Sequence, residues 1–156
     1  MKNRKIRKKD CEKKWADIFI RWTNNTYNFD YRSEISYNEG AEDISAKSKS
    51  SFFPALILEL SEAVKFEGDK EIKIIFDLDQ VVETINKKLE KYGNNPSIIN
   101  NVILLIQGHL SKSWINDDLK KLKTLYGKCN FKGIYYISCK TTGSEEFVIP
   151  IKNAFK

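Results

Sequence analysis

Apolar residues follow helical spacing in some parts of the chain and strand alternation in others. Near the N-terminus, Trp15, Ile18 and Phe19 recur at helical spacing. They predict a helix that begins after the N-cap residue Asp10 and ends near Thr23. The other predicted elements are helices over 78–92 and 116–126, strands over 30–37, 42–47, 55–61, 101–107, 131–138 and 147–151, and a short strand or extended lead-in over 72–76.

The order of these elements predicts an α/β fold. Residues 101–107 form an almost continuous apolar run, which is typical of a central strand that is covered on both faces. The succession of helices and strands indicates a central mixed β-sheet flanked by helices. A chain of 156 residues suffices for one such three-layer domain, which we place over 10–156. The charged residues before it predict a flexible basic arm over 1–9.

The charge balance narrows the class of partner. The chain has 27 Lys and Arg against 21 Asp and Glu, a net charge of +6. A basic excess favours polyanions, of which nucleic acid is the commonest, although a lysine-rich surface also serves solubility. We take Lys47, Lys49 and Lys87 as candidate nucleic-acid contacts.

The cysteines and the single histidine do not point to a metal site. Cys11, Cys129 and Cys139 have no metal-ligand spacing, and His109 does not complete a familiar zinc pattern with them. The charged N-terminus has no apolar segment after it, and no apolar run is long enough to span a bilayer. We therefore expect a cytoplasmic protein with free thiols and no membrane partner.

Two acids on neighbouring predicted strands are candidates for chemistry. Side chains alternate along a strand, so Glu59 shares a face with Ile57 and Asp43 shares a face with Ser45. If the two strands pair as a hairpin, the two carboxylates converge at one edge of the sheet. Their repulsion would be relieved by a divalent cation, and oxygen ligands suit Mg²⁺ or Mn²⁺.

The segments 42–44 (Glu-Asp-Ile) and 56–61 (Leu-Ile-Leu-Glu-Leu-Ser) resemble the paired motifs of the PD-(D/E)XK, or restriction-endonuclease-like, nuclease superfamily. The helix over 85–92, the strand over 102–106 and the strand over 131–137 are similar to elements that follow this core in some members. The resemblance covers roughly residues 10 to 140. It implies a restriction-endonuclease-like fold and a metal-dependent endonuclease that cleaves nucleic acid, with DNA favoured over RNA.

The chain departs from that pattern at Ser61, where the superfamily has lysine. Some members carry the lysine on the following helix, and a spacing of about 100° per residue places Lys88 within or beside the inward stripe of helix 78–92. The resemblance further implies the Leu60 carbonyl as a metal ligand beside Asp43 and Glu59, and a further acid, Glu12, from the first helix.

Each of these residues also has a structural interpretation. Asp43 suits a strand beside a turn, Glu59 suits a structural ion pair, Lys88 can extend to water, and Glu12 suits the start of a helix. The alternative function is a catalytically inactive nuclease-fold module that binds nucleic acid or a protein partner, which the serine at position 61 favours. A homodimer is also compatible with the sequence. The aromatic pair Phe52 and Phe53 is a candidate to flank a substrate cleft.

Overall fold

The computed structural model describes residues 2–38, 41–62, 65–67, 70–72, 78–92, 99–108, 116–138 and 147–155. Within these ranges, the side chains of 2–11, 36–38, 41–43, 65–67, 70–72 and 147 lie outside the description. The helices are α1 (Lys2–Tyr27), α2 (Leu78–Tyr92) and α3 (Asn116–Tyr126). The strands are β1 (Tyr31–Asn38), β2 (Ala41–Ser48), β3 (Leu56–Glu62), β4 (Lys65–Glu67), β5 (Lys70–Ile72), β6 (Val102–Gly108), β7 (Gly133–Ser138) and β8 (Phe147–Lys152).

Six of these strands form one mixed sheet, in the order β1-β2-β3-β6-β7-β8. The pairs β3–β6 and β6–β7 are parallel, whereas β1–β2, β2–β3 and β7–β8 are antiparallel. Every residue of β6 is buried, as the apolar run predicts for a central strand. The α/β class and the mixed sheet are thereby confirmed.

Helices pack on both faces of this sheet. The apolar stripe of α1, with Phe19 fully buried, packs against one face together with Leu58 and Ile103. The buried side chains of α2 and α3, among them Ile85 and Leu122, pack on the other face against β6 and β7. Burying two apolar faces of one sheet requires a layer on each side, so the described residues form three layers.

The first helix is longer than the sequence predicts. It begins at Lys2, so the predicted start after Asp10 is wrong, and Asp10 lies inside the helix. The Lys- and Arg-rich segment has no apolar stripe, but these residues have high helix propensity and no Gly or Pro interrupts them. The predicted arm over 1–9 therefore continues α1 from Lys2 onward, and its flexibility stays a prediction.

The second and third helices have the predicted bounds, because their stripes and stop signals are clear. The short antiparallel pair of β4 and β5 was not predicted, and residues 73–76 of the lead-in predicted over 72–76 lie outside the described residues. None of the helices in the described part of the chain has the length and apolar character needed to cross a bilayer.

Candidate functional site

One face of the β1–β2–β3 half of the sheet carries mainly polar side chains. Ile44, Ala46 and Leu58 point into the core beneath α1, so the residues that alternate with them point to the opposite face. On that side, the buried residues of α2 and α3 pack on β6 and β7. We name as the polar face the side chains of Arg32, Glu34, Ser45, Lys47, Ile57 and Glu59.

The strongest polar contact of this face joins β3 to α2. Lys88 Nζ lies 2.7 Å from Glu59 Oε1, and the two side chains are 21% and 19% exposed. Helix α2 reaches this position because Val81 and Ile85 pack in the same buried cluster as Val102, Leu104 and Ile106 of β6, the strand that pairs with β3. The prediction that Lys88 faces inward is therefore confirmed as geometry: its ammonium group meets a carboxylate and does not extend to open water.

The described pairing of β2 with β3 ends one residue short of Asp43 and Glu59. The strands β2 and β3 pair as the antiparallel hairpin that the sequence argument required, with Ile44 opposite Leu58. One further step in this register would set Asp43 opposite Glu59, where the two residues would share a face. The side chain of Asp43 lies outside the described residues, so the convergence of the two carboxylates stays a prediction.

The other residues of the predicted site occupy different surroundings. Leu60 follows Glu59 in β3, and its side chain packs against the core beneath α1. Ser61 is half-buried and shares the face of Glu59. Glu12 is half-buried on α1, which packs on the opposite face of the sheet from Glu59. The structure thus brings Lys88 and Glu59 together, and Glu12 stays a predicted member of the site.

The three lysines predicted to bind nucleic acid differ in their contacts. Lys47 Nζ lies 3.1 Å from Glu34 Oε1 on the polar face. Lys87 lies 3.1 Å from the glutamate one helical turn earlier, on the exposed side of α2. Lys49 is exposed at the end of β2, and its backbone N–H donates to the carbonyl of Asp30. Exposed ion pairs contribute little free energy, so all three ammonium groups remain accessible to phosphate.

Sequence reasoning missed one cation of the polar face, Arg32. It is exposed on β1, directly opposite Lys47, and has no ion-pair partner among the described residues. Alternation along 30–37 shows which residues of that strand lie on the same side as Arg32. Only the register between β1 and β2 shows that Arg32 shares a face with Lys47. The polar face therefore has two adjacent cations at the end where β2 leaves the sheet.

The donor atoms of the predicted metal site suit a hard cation. Glu59 accepts from Lys88 through one carboxylate oxygen, and a carboxylate offers a second oxygen to another donor or to a cation. Within the described side chains, no group of three or more His, Cys, Asp or Glu forms a metal cluster. The side chain of Asp43 and the whole of His109 lie outside the described residues.

Comparison with protein-family models, with curated proteins and with solved structures gave no match to this chain. The interpretation of the site therefore rests on the chain's own residues and on their geometry.

Proposed function

We propose that this protein is a metal-dependent nuclease or nuclease-like domain that hydrolyses phosphodiester bonds in nucleic acid, with DNA favoured over RNA. In this proposal it is a divergent member of the PD-(D/E)XK superfamily with a restriction-endonuclease-like fold. The observation that carries the proposal is the contact of 2.7 Å between Lys88 and Glu59 at the rim of the polar face. This contact puts a lysine beside Glu59, the acid of the segment 56–61 that resembles the second motif, although position 61 has serine.

The same residues suit the predicted cofactor, Mg²⁺ or Mn²⁺. The carboxylates of Asp43 and Glu59 and the carbonyl of Leu60 are the candidate ligands, and all three are hard oxygen donors. When bound, such a cation stabilises charge on a phosphoryl oxygen and lowers the pKa of a coordinated water.

The role of Lys88 in this proposal is to orient the attacking water and stabilise the charge that develops on the phosphate. Water attacks the phosphorus in line with the leaving oxygen, and the phosphorus–oxygen ester bond breaks. The attacking water gives up a proton to solvent, and the leaving oxygen takes a proton from solvent. Lys88 is positioned for this because its ammonium group lies 2.7 Å from Glu59 Oε1.

The test is a cleavage assay on plasmid DNA, single-stranded DNA and RNA, with Mg²⁺, Mn²⁺ or a chelator. The variants are Glu59→Gln, Lys88→Met and Asp43→Asn. We expect metal-dependent cleavage that falls by about 100-fold or more in each variant. Glu83→Gln is the matched control, because this glutamate also pairs with a lysine of α2 but is exposed away from the sheet. Wild-type protein that never cleaves, or variants that cleave like the control, would contradict the proposal.

A second candidate function is a nuclease-fold module that binds nucleic acid or a protein without cleavage. Ser61 favours it, because the superfamily pattern expects a lysine there. The ion pair also favours it, since an ammonium group that neutralises Glu59 can satisfy this carboxylate without a metal. Binding that weakens steeply with salt, without cleavage in either metal, would support this candidate over the first.

A further inference from the structure

The loop over 49–55, between β2 and β3, presents an exposed aromatic ring. Phe52 is 80% exposed, the most of any large apolar side chain among the described residues. Its ring stands edge-to-face on Phe53, with centroids 5.0 Å apart and an interplanar angle of 82°. Phe53 in turn packs on Phe29, at a centroid distance of 4.6 Å. The exposed ring is therefore supported from below by a packed aromatic cluster.

Hydrogen bonds to Asp30 hold this loop in one conformation. The Asp30 carboxylate accepts from Ser48 Oγ and, at 2.8 Å, from the backbone N–H of Ser50. These hydrogen bonds hold the pKa of Asp30 below its ordinary value. Ser51 has φ of 59°, a left-handed conformation that is uncommon for serine and needs support from its surroundings. A ring held in this way loses little conformational entropy when a ligand stacks on it.

Cations lie at the same end of the sheet, although Phe53 and Phe29 pack on the α1 face and the side chains of Arg32 and Lys47 lie on the opposite, polar face. Arg32 and Lys47 stand directly opposite each other on the polar face, and Lys49 follows at the end of β2. Lys47 and Asp43 are four positions apart on β2, or about 13 Å at ~3.3 Å per residue. A strand of nucleic acid that reaches the proposed site can therefore also contact this end of the sheet.

We propose that Phe52 stacks on an unpaired base while Arg32, Lys47 and Lys49 bind phosphates of the same strand where it passes around this end of the sheet, so that the substrate is single-stranded or locally unpaired nucleic acid. The proposal deepens the proposed function and rests on it. An exposed aromatic ring beside cations is the arrangement that binds single strands, because each base offers a face to the ring. In a paired duplex these faces are already stacked on neighbouring bases.

The test measures the affinity of the full chain for a fluorescent oligothymidylate and for a hairpin duplex of equal charge, by anisotropy and without divalent metal. We expect the wild type to prefer the single strand. Phe52→Ala should weaken single-strand binding by about 5- to 150-fold and change duplex binding little. Leu125→Ala is the matched control, since it removes another exposed apolar side chain, 61% exposed, on α3.

A second pair of variants tests the cations. Arg32→Ala should reduce the slope of log affinity against log salt by about 0.7, the contribution of one phosphate contact on a single strand. Lys121→Ala, an exposed lysine on α3, should leave the slope unchanged. Circular dichroism checks that the variants fold.

Equal affinity for the two probes, or Phe52→Ala that binds like Leu125→Ala, would overturn this inference while leaving the proposed nuclease intact. Failure to bind either probe would overturn it as well. The cleavage assay on Glu59→Gln decides the proposed function separately, because that variant removes the site and leaves Phe52 in place.

Discussion

The ion pair between Glu59 and Lys88 should contribute more to stability than the exposed pair that joins Lys47 to Glu34. Its atoms are 2.7 Å apart, and about four-fifths of each side chain is buried. Removing one member of a fully buried pair costs ~3–5 kcal/mol, and exposed pairs contribute ~0.2–1 kcal/mol. With about a fifth of each side chain exposed, we expect Lys88→Met and Glu59→Gln to lower the free energy of unfolding by about 1–3 kcal/mol each.

The double variant distinguishes the contact from the cost of an unpaired charge. In Glu59→Gln with Lys88→Met, neither side chain is charged, so we expect the loss to be smaller than the sum of the two single losses by about 1–2 kcal/mol. The assay is urea unfolding at neutral pH, followed by tryptophan fluorescence, for the wild type, both single variants and the double variant.

The exposed ion pair on the same face provides the control. Glu34 and Lys47 are 3.1 Å apart with side chains 42% and 51% exposed, so their coupling energy should stay below ~1 kcal/mol. If the coupling between Glu59 and Lys88 is no larger than that between Glu34 and Lys47, the reasoning from burial is refuted. Lys88 would then be held in place by the packing of α2 and not by its partner.

Two further predictions concern buried groups away from the site. Burial raises the pKa of Tyr135 to about 12 from its ordinary value of 10.0, so the folded state favours the neutral phenol. The contribution of this phenol to the free energy of unfolding is complete below about pH 10 and is lost as the pH rises towards about 12, by ~2–3 kcal/mol in total. Urea unfolding across this pH range measures the loss. In Tyr135→Phe the free energy of unfolding should depend less on pH. A side chain at Gly108 would overlap the hydroxyl of Tyr136, so Gly108→Ala should lower the free energy of unfolding by about 1–3 kcal/mol, and an unchanged urea midpoint would contradict this packing.

Most of the helices and strands were predictable because the apolar pattern that specifies each one lies within its own segment. The helix over 78–92 has a clear apolar stripe, and 101–107 reads as a central strand without reference to the rest of the chain. The start of α1 was not predictable from its stripe, since the residues from Lys2 to Asp10 are helical without one. Propensity alone favours helix there, and an N-cap residue such as Asp10 is also tolerated inside a helix.

The sequence predicts the faces on which Lys88 and Glu59 lie, but not the distance between them. The angular position of Lys88 on its helix showed that it faces the sheet, and alternation showed that Glu59 does not share the core face of Leu58. The distance between them depends on how deeply α2 packs beside β3, which no local pattern encodes. The position of Arg32 was missed for a related reason, because a register shift of one residue would place it on the other face.

The charges of the polar face favour a binding surface over a purely structural one. Arg32 and Lys47 are directly opposite each other, and like charges in that position are destabilising. Lys47 has Glu34 as a partner, but Arg32 has none among the described residues, so the repulsion is only partly offset. A sheet built for stability alone would place opposite charges there, whereas a local arrangement that costs stability is what functional surfaces show. In the proposed function, a polyanion bound across this end would remove the repulsion, and the same strand would extend towards Glu59 and Lys88.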